Sequence, residues 1–383
     1  MKNPYVVLIP LLAALATPAP SLLAQPCPED TLTAQSPLPL TDILTDYLPV
    51  DQISGGPVRK ITICDREGWE CKRPSILRRA EALLGRAPEL QGGLEARFTD
   101  QVQRRGYLER RVRFNSGTGD TVSGYLLLPD GVSPRNPAPA IIALHSTLNP
   151  GAGVTVGLDT TFPNRNYGQE LARRGYVVLA TDEISAGERV YPGDKPFATS
   201  QFDRKYPQWS AMGKMLADHI RAVDLLCSLA EVDTSRIGTI GHSLGGYNAF
   251  FLEAFDSRVK AAVSSCGFVS ISGSEYPFRF ARQEWFVHFP VLRDYVRSGL
   301  VPCDMHEVLS LCAPRPLFNY SARQDHIFPD FQAVEMPLRQ VSELYRILGA
   351  AERFDLIYGE GDHDFPPEIR EKAYLWLDKW LKM

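Results

Sequence analysis

The stretch RIGTIGHSLGGYNAFFLEAF, residues 236–255, carries a short apolar run, Ile237 to Ile240, into a glycine-flanked serine and then a second apolar segment. The pattern G-x-S-x-G alone is loose, and its flanks give it meaning. An apolar strand before it and a helix after it make the strand–turn–helix in which such a serine stands at the top of a sheet. Gly241 and Gly245 are required because side chains there would strike the neighbouring strand or helix, while the turn holds the serine in a strained conformation. Ser243 then projects its hydroxyl above the sheet edge. The N–H of Leu244, at the helix start, can donate to an oxyanion.

Around this elbow the chain alternates. YLERRVRF (107–114) and TVSGYLLLP (121–129) read as two antiparallel strands. AIIALH (140–145), YVVLATD (176–182), RIGTIG (236–241), VKAAVSS (259–265), PLFNYSA (316–322) and RFDLIYG (353–359) follow as short apolar strands separated mostly by helical segments. In WSAMGKMLADHIRAVDLLCSLA (209–230), Met212, Met215, Leu216, Ile220, Val223 and Leu226 recur at the spacing of a helix with one buried face. Strands alternating with helices predict an α/β fold, a mostly parallel sheet covered on both faces. Ligands of such sheets bind at the carboxyl ends of the strands.

A serine hydroxyl needs a base to take its proton and an acid to orient that base. RQDHIFPD (323–330) follows one strand and EGDHDFP (360–366) the next, so each supplies its residue at a carboxyl strand end. Asp325 is assigned as the acid and His363 as the base. His326 shares the loop of Asp325 and would point away from the serine. Asp330 reads as a helix cap, His242 as a packed residue within the elbow, and His145 as a support for the loop after its strand. The GDHD cluster has no second histidine cluster at ligand spacing to make a metal site.

A net charge of −4 and a pI near 6.0 supply no basic stripe for nucleic acid. The first residues set Lys2 before an apolar run from Tyr5 to Ala16, followed by small residues, which predicts a signal peptide over 1–24 and an exported protein. That run is interrupted by prolines and too short to span a bilayer, so no stable membrane insertion is expected. Residues 25–105 read as an N-terminal extension with a tether before residue 40 and no strand alternation. Its helix PSILRRAEALLG is predicted to begin near Pro74 and close at Gly85. Residues 106–383 read as the main domain. Of the seven cysteines, Cys303 and Cys312 are held about 13 Å apart by a short helix and should not pair. Cys64 with Cys71 is open either way, and Cys227 and Cys266 read as small buried hydrophobes.

With GHSLGG, a late Asp325 and a later His363, the chain from about residue 107 onward resembles the α/β-hydrolase superfamily, in particular its exported dienelactone-hydrolase-like and acetyl-xylan-esterase-like branch, which is related to prolyl oligopeptidase catalytic domains. The resemblance implies an ester hydrolase working without a cofactor on small-molecule or carbohydrate esters such as acetylated xylan. It also implies that the N–H of Thr147, in ALHST, is the second oxyanion donor, although Ser146 and Thr147 stand where the family has glycines. A peptidase of the prolyl oligopeptidase type is the alternative, but the segment before residue 107 is far too short for a propeller. A non-catalytic binding protein on the same fold would normally have lost a triad residue.

Residues 268–312 are far longer than one crossover needs, and their aromatics and arginines predict a wall of the substrate pocket. Trp285 and Arg279 are placed there, with Trp209 from the neighbouring loop.

Overall fold

A computed structural model describes residues 42–49 and 58–382; the expected signal peptide and tether lie outside them. β1 (Thr45–Pro49) and β2 (Val58–Thr62) pair antiparallel as a separate ribbon. α1 (Arg66–Leu84) follows, capped by the Asp65 carboxylate, which accepts from Gly68 N–H at 2.9 Å. The helix thus starts well before Pro74, which sits in its interior. The apolar face continues upstream through buried Trp69, and the proline costs only its own N–H bond. Gly85 does close the helix, at φ 81°.

The remaining strands are β3 (Arg97–Arg104), β4 (Tyr107–Asn115), β5 (Thr121–Pro129), β6 (Ala138–Leu144), β7 (Val177–Thr181), β8 (Val232–His242), β9 (Val259–Ser265), β10 (Leu317–Ala322) and β11 (Phe354–Gly359). They form one sheet in the order β11-β10-β9-β8-β6-β7-β5-β4-β3. β3, β4, β5 and β7 are joined by antiparallel ladders, and from β7 through β6 to β11 every ladder is parallel. β3 belongs to this sheet although it lies within the segment read as extension. Every residue of it is exposed, so no apolar alternation marks it in the sequence.

Between these strands run α2 (Ala152–Thr155), α3 (Tyr167–Arg173), α4 (Ser200–Lys205), α5 (Ala211–Ser228), α6 (Leu244–Phe255), α7 (Leu292–Arg297), α8 (Met305–Ser310), α9 (Gln332–Ile347) and α10 (Pro367–Leu381). The parallel strands are buried on both faces, as their unbroken apolar runs require. Along β6, Ala140, Ile142 and Leu144 join the core under α1, α5, α6 and α9, while Ile141 and Ala143 join the one under α3 and α10. Cys303 and Cys312 are free thiols at either end of α8. Cys64 is also free and Cys71 is disulfide-bonded, so those two do not pair. Among the described residues no helix is long and apolar enough to cross a membrane.

Because β6, β8, β9, β10 and β11 run parallel, the residues just after them share one edge of the sheet. These are His145, Ser243, Cys266, Asp325 and His363.

Candidate active site

Ser243 stands between β8 and α6 at φ 57°, ψ −117°, a left-handed backbone that costs a side-chain-bearing residue about 1–3 kcal/mol. The surroundings fix it there. Its N–H donates to Ser265 C=O at 2.8 Å, and its own C=O accepts from Gly246 and Tyr247 N–H. A Cβ on Gly241 would fall into the Gly245 backbone, and one on Gly245 into the Leu144 carbonyl. Neither glycine is at positive φ, so both are needed for room, and the strained conformation belongs to the serine itself.

The loop after β6 is tied to this elbow. His145 Nε2 accepts from Glu183 N–H at 3.0 Å, so Nδ1 carries the proton and donates to Ser146 C=O at 2.6 Å. Ser146 Oγ donates to His242 C=O at 3.2 Å. Thr147 N–H, held between these bonds, donates to no acceptor among the described residues. Leu244 N–H is the first of its helix and so lacks an intrahelical partner.

On the other side of the serine, His363 Nδ1 lies 2.7 Å from Asp325 Oδ2. A carboxylate only accepts, so Nδ1 carries a proton and Nε2 is the ring nitrogen left for another partner. Asp325 Oδ1 accepts from the N–H groups of Ile327 and Phe328 at 2.8 and 2.9 Å, which aims the carboxylate at the imidazole. The imidazole is boxed by the His242 ring at 4.8 Å and the Phe328 ring at 5.7 Å. Arg165, before α3, donates to His363 C=O at 3.2 Å and pairs with Asp364, pinning the loop from across the site. No direct hydrogen bond joins Ser243 Oγ to His363 Nε2, a contact that acyl-transfer sites often close only when substrate binds.

The competing residues go elsewhere. His326 turns outward to Asp362 at 2.7 Å, and Asp330 accepts from Ala333 N–H near the start of α9 and from Glu275 N–H. His242 is fully buried, and burial holds its imidazole well below the usual range. The Cys266 Sγ and the ligand atoms of Asp325 and His363 lie within 4.8 Å of one another. Burial pushes that thiol well above its usual range, so it stays protonated and fills space beneath the pair.

The long crossover runs beside α6. Phe280, Phe286 and Phe289 are buried against the body, while Tyr276, Phe278 and Trp285 are 53%, 43% and 44% exposed. Trp285 Nε1 donates to Pro196 C=O at 2.8 Å, and its own C=O accepts from Thr199 N–H. Buried Phe197, at φ 64°, sets its ring 5.3 Å from Phe286 and 6.3 Å from His145. Trp209 does not belong to this wall. It is 4% exposed, packs on Phe202 and Tyr206 and bridges to Gly85, because the helical extension covers it. A separate cleft of about 620 Å³ at the β3–β5 edge has its Arg113 and Arg189 already paired with Glu188 and Asp120. Sequence reasoning missed Arg165, Phe197 and Phe328. Only Phe328, three residues after Asp325, lay near a motif.

Residues 122–281, which include Ser243 but end before Asp325 and His363, match the dienelactone hydrolase family model. The putative hydrolase YtaP of Bacillus subtilis is 27% identical over 250 residues, 64% of this chain and 80% of that protein. A 4-O-methyl-glucuronoyl methylesterase of Phanerochaete carnosa is 23% identical over 357 residues, 85% of this chain and 78% of that one. The solved glucuronoyl esterase from Solibacter usitatus shares the fold at a TM-score of 0.66 and 18% identity, covering 88% of this chain and 97% of that one. The chain spans about a third of the length of several other curated relatives it matches.

Proposed function

We propose that this chain, whose fold is that of the α/β-hydrolases and whose residues 122–281 match the dienelactone hydrolase family model, cleaves carboxylic esters through an acyl-enzyme on Ser243. The observation that carries this reading is the Asp325–His363 pair at 2.7 Å, oriented by two backbone N–H groups on the strand edge that also holds the elbow. His363 Nε2 takes the Ser243 proton as Oγ bonds to the ester carbonyl carbon. The N–H groups of Leu244 and Thr147 hold the oxyanion. The carbonyl re-forms, the bond to the alkoxy oxygen breaks, and His363 returns the proton to the departing alcohol. Water, deprotonated by the same imidazole, then releases the acid and restores the serine.

Carbohydrate esters are the substrate class that the named relatives favour, and the exposed Tyr276 and Trp285 rings suit sugar faces. Export after removal of a signal peptide over 1–24 belongs to the same proposal, and the disulfide at Cys71 suits an oxidising compartment. The division into an extension over 25–105 and a catalytic domain over 106–383, with β3 lent by the former to the sheet of the latter, is part of the same proposal.

Ser243→Ala tests the mechanism with p-nitrophenyl acetate and a fluorophosphonate label. The expected result is a loss of about a millionfold in kcat and of all labelling, with the melting temperature nearly unchanged. Wild-type rates in that variant would remove the proposal.

A further inference from the structure

Arg279 and Arg282 lie in the crossover wall, both half-buried. Other partly buried arginines have found anions: Arg165 pairs with Asp364, Arg189 with Asp120 and Asp218, Arg258 with Asp224 and Asp256, and Arg370 with Glu170. Arg279 and Arg282 have no ion-pair partner among the described residues. Among the described residues neither guanidinium makes a salt bridge or a side-chain hydrogen bond. Aromatic faces hold them instead, with Arg279 5.2 Å over Phe328 and 5.9 Å over Tyr276, and Arg282 5.1 Å over Trp285.

Such contacts position a cation without neutralising it. Burial, and next the like charge of Arg282, hold Arg279 below the usual guanidinium range. Asp325 is the nearby carboxylate that opposes this, but both its oxygens already serve His363 and two backbone N–H groups. Two adjacent, partly buried cations with no protein acceptor for their guanidinium forks among the described residues favour the arrival of an anion.

Their place says what that anion belongs to. The Phe328 ring touches both the Arg279 guanidinium and, at 5.7 Å, the His363 ring. On the elbow side, Tyr247, one turn after Ser243, feels the charge of both arginines. Arg279 thus lies one ring away from His363, with Arg282 beside it in the same wall. We infer that Arg279 and Arg282 form a carboxylate subsite beside Ser243, so that the preferred substrate is an ester that also carries a free carboxylate, as an acetylated uronate saccharide does. This rests on the ester-hydrolase reading. Guanidinium forks match a planar carboxylate bidentately, and the flanking Trp285 and Tyr276 faces leave room for the ring that bears it.

The test uses two matched ester pairs: 4-acetoxybenzoate against its methyl ester, with the charge on the leaving group, and mono-4-nitrophenyl glutarate against its methyl ester, with the charge on the acyl group. Wild type should favour the anionic member of at least one pair by about tenfold or more in kcat/KM, chiefly through KM, the scale of a charge-assisted hydrogen bond. The preference should shrink with added salt and collapse towards one in the Arg279→Gln, Arg282→Gln double variant. Arg279→Lys and Arg282→Lys, which keep the charge but lose the fork, should lower the ratio part-way, and they carry the test if the double variant melts early. Wild type without an anionic preference in either pair, or an unchanged ratio in folded variants, overturns the subsite. Failure of the underlying reading looks different: no neutral ester would be cleaved by wild type, or Ser243→Ala would cleave them all.

Discussion

Residues 241–247 and residues 276–289 meet through the Tyr247 ring, 5.7 Å from Phe280 and 5.5 Å from His288. In the elbow, backbone atoms of three segments occupy the space that a single Cβ would need, and the strained serine is anchored by its own N–H and C=O. In the crossover, three buried phenylalanines fix one side, while Tyr276, Phe278 and Trp285 are partly exposed and two arginines have no salt-bridge partner among the described residues. The proposed nucleophile therefore sits on a tightly packed backbone, and the groups proposed to meet the rest of a substrate sit on side chains that are partly exposed. Positioning to within a fraction of an ångström governs rate, whereas a wall that adapts governs choice.

Four variants break or sharpen that contrast. Asp325→Asn should cost about 10⁴-fold in kcat while the fold persists, because an amide favours the wrong imidazole tautomer. A larger loss from Asp330→Asn would reassign the acid. Gly245→Ala should cost about 100-fold or more, since the added methyl group displaces the elbow from Leu144 by some fraction of an ångström. Unaltered rates would show that the elbow has slack after all.

The third concerns Glu253, buried in α6 behind the elbow, whose carboxyl oxygens have no hydrogen-bond partner among the described residues and whose burial is opposed first by the charge of Arg315 and then by the Cys312 thiol. Burial raises its carboxyl from 4.5 to about 8. The folded state thus holds a proton that the unfolded chain releases, so this contribution to stability is full below about pH 4.5 and is lost as pH rises through about 8. Glu253→Gln should flatten the fall of Tm over that window. An identical slope in both proteins would mean the carboxyl is already ionised in the fold. Last and smallest, Trp285→Ala should change the ranking among bulky esters by several-fold while p-nitrophenyl acetate turnover shifts little. An unchanged ranking would make the crossover pure scaffold.

The parallel strands were legible because their apolar runs are buried on both faces, and the placing of Ser243, Asp325 and His363 at one sheet edge because each follows such a run. β3 was not, since nothing in its fully exposed sequence alternates. Pro74 misled because a proline that opens a helix and one tolerated inside it look alike without the packing of Trp69. Trp209 misled for a related reason: a tryptophan near a pocket and one roofed by an N-terminal helix are alike until the roof is seen. The unneutralised state of Arg279 and Arg282 is a statement about what is not beside them, which no local motif records.

Phe197 links the adaptable wall to the fixed chemistry. Its ring bears on Phe286 of the crossover and on His145, whose imidazole holds the carbonyl next to Thr147. It stands as a strut between the two, so that trimming Phe197 would open a gap against the wall and against the loop proposed to cradle the oxyanion at the same time.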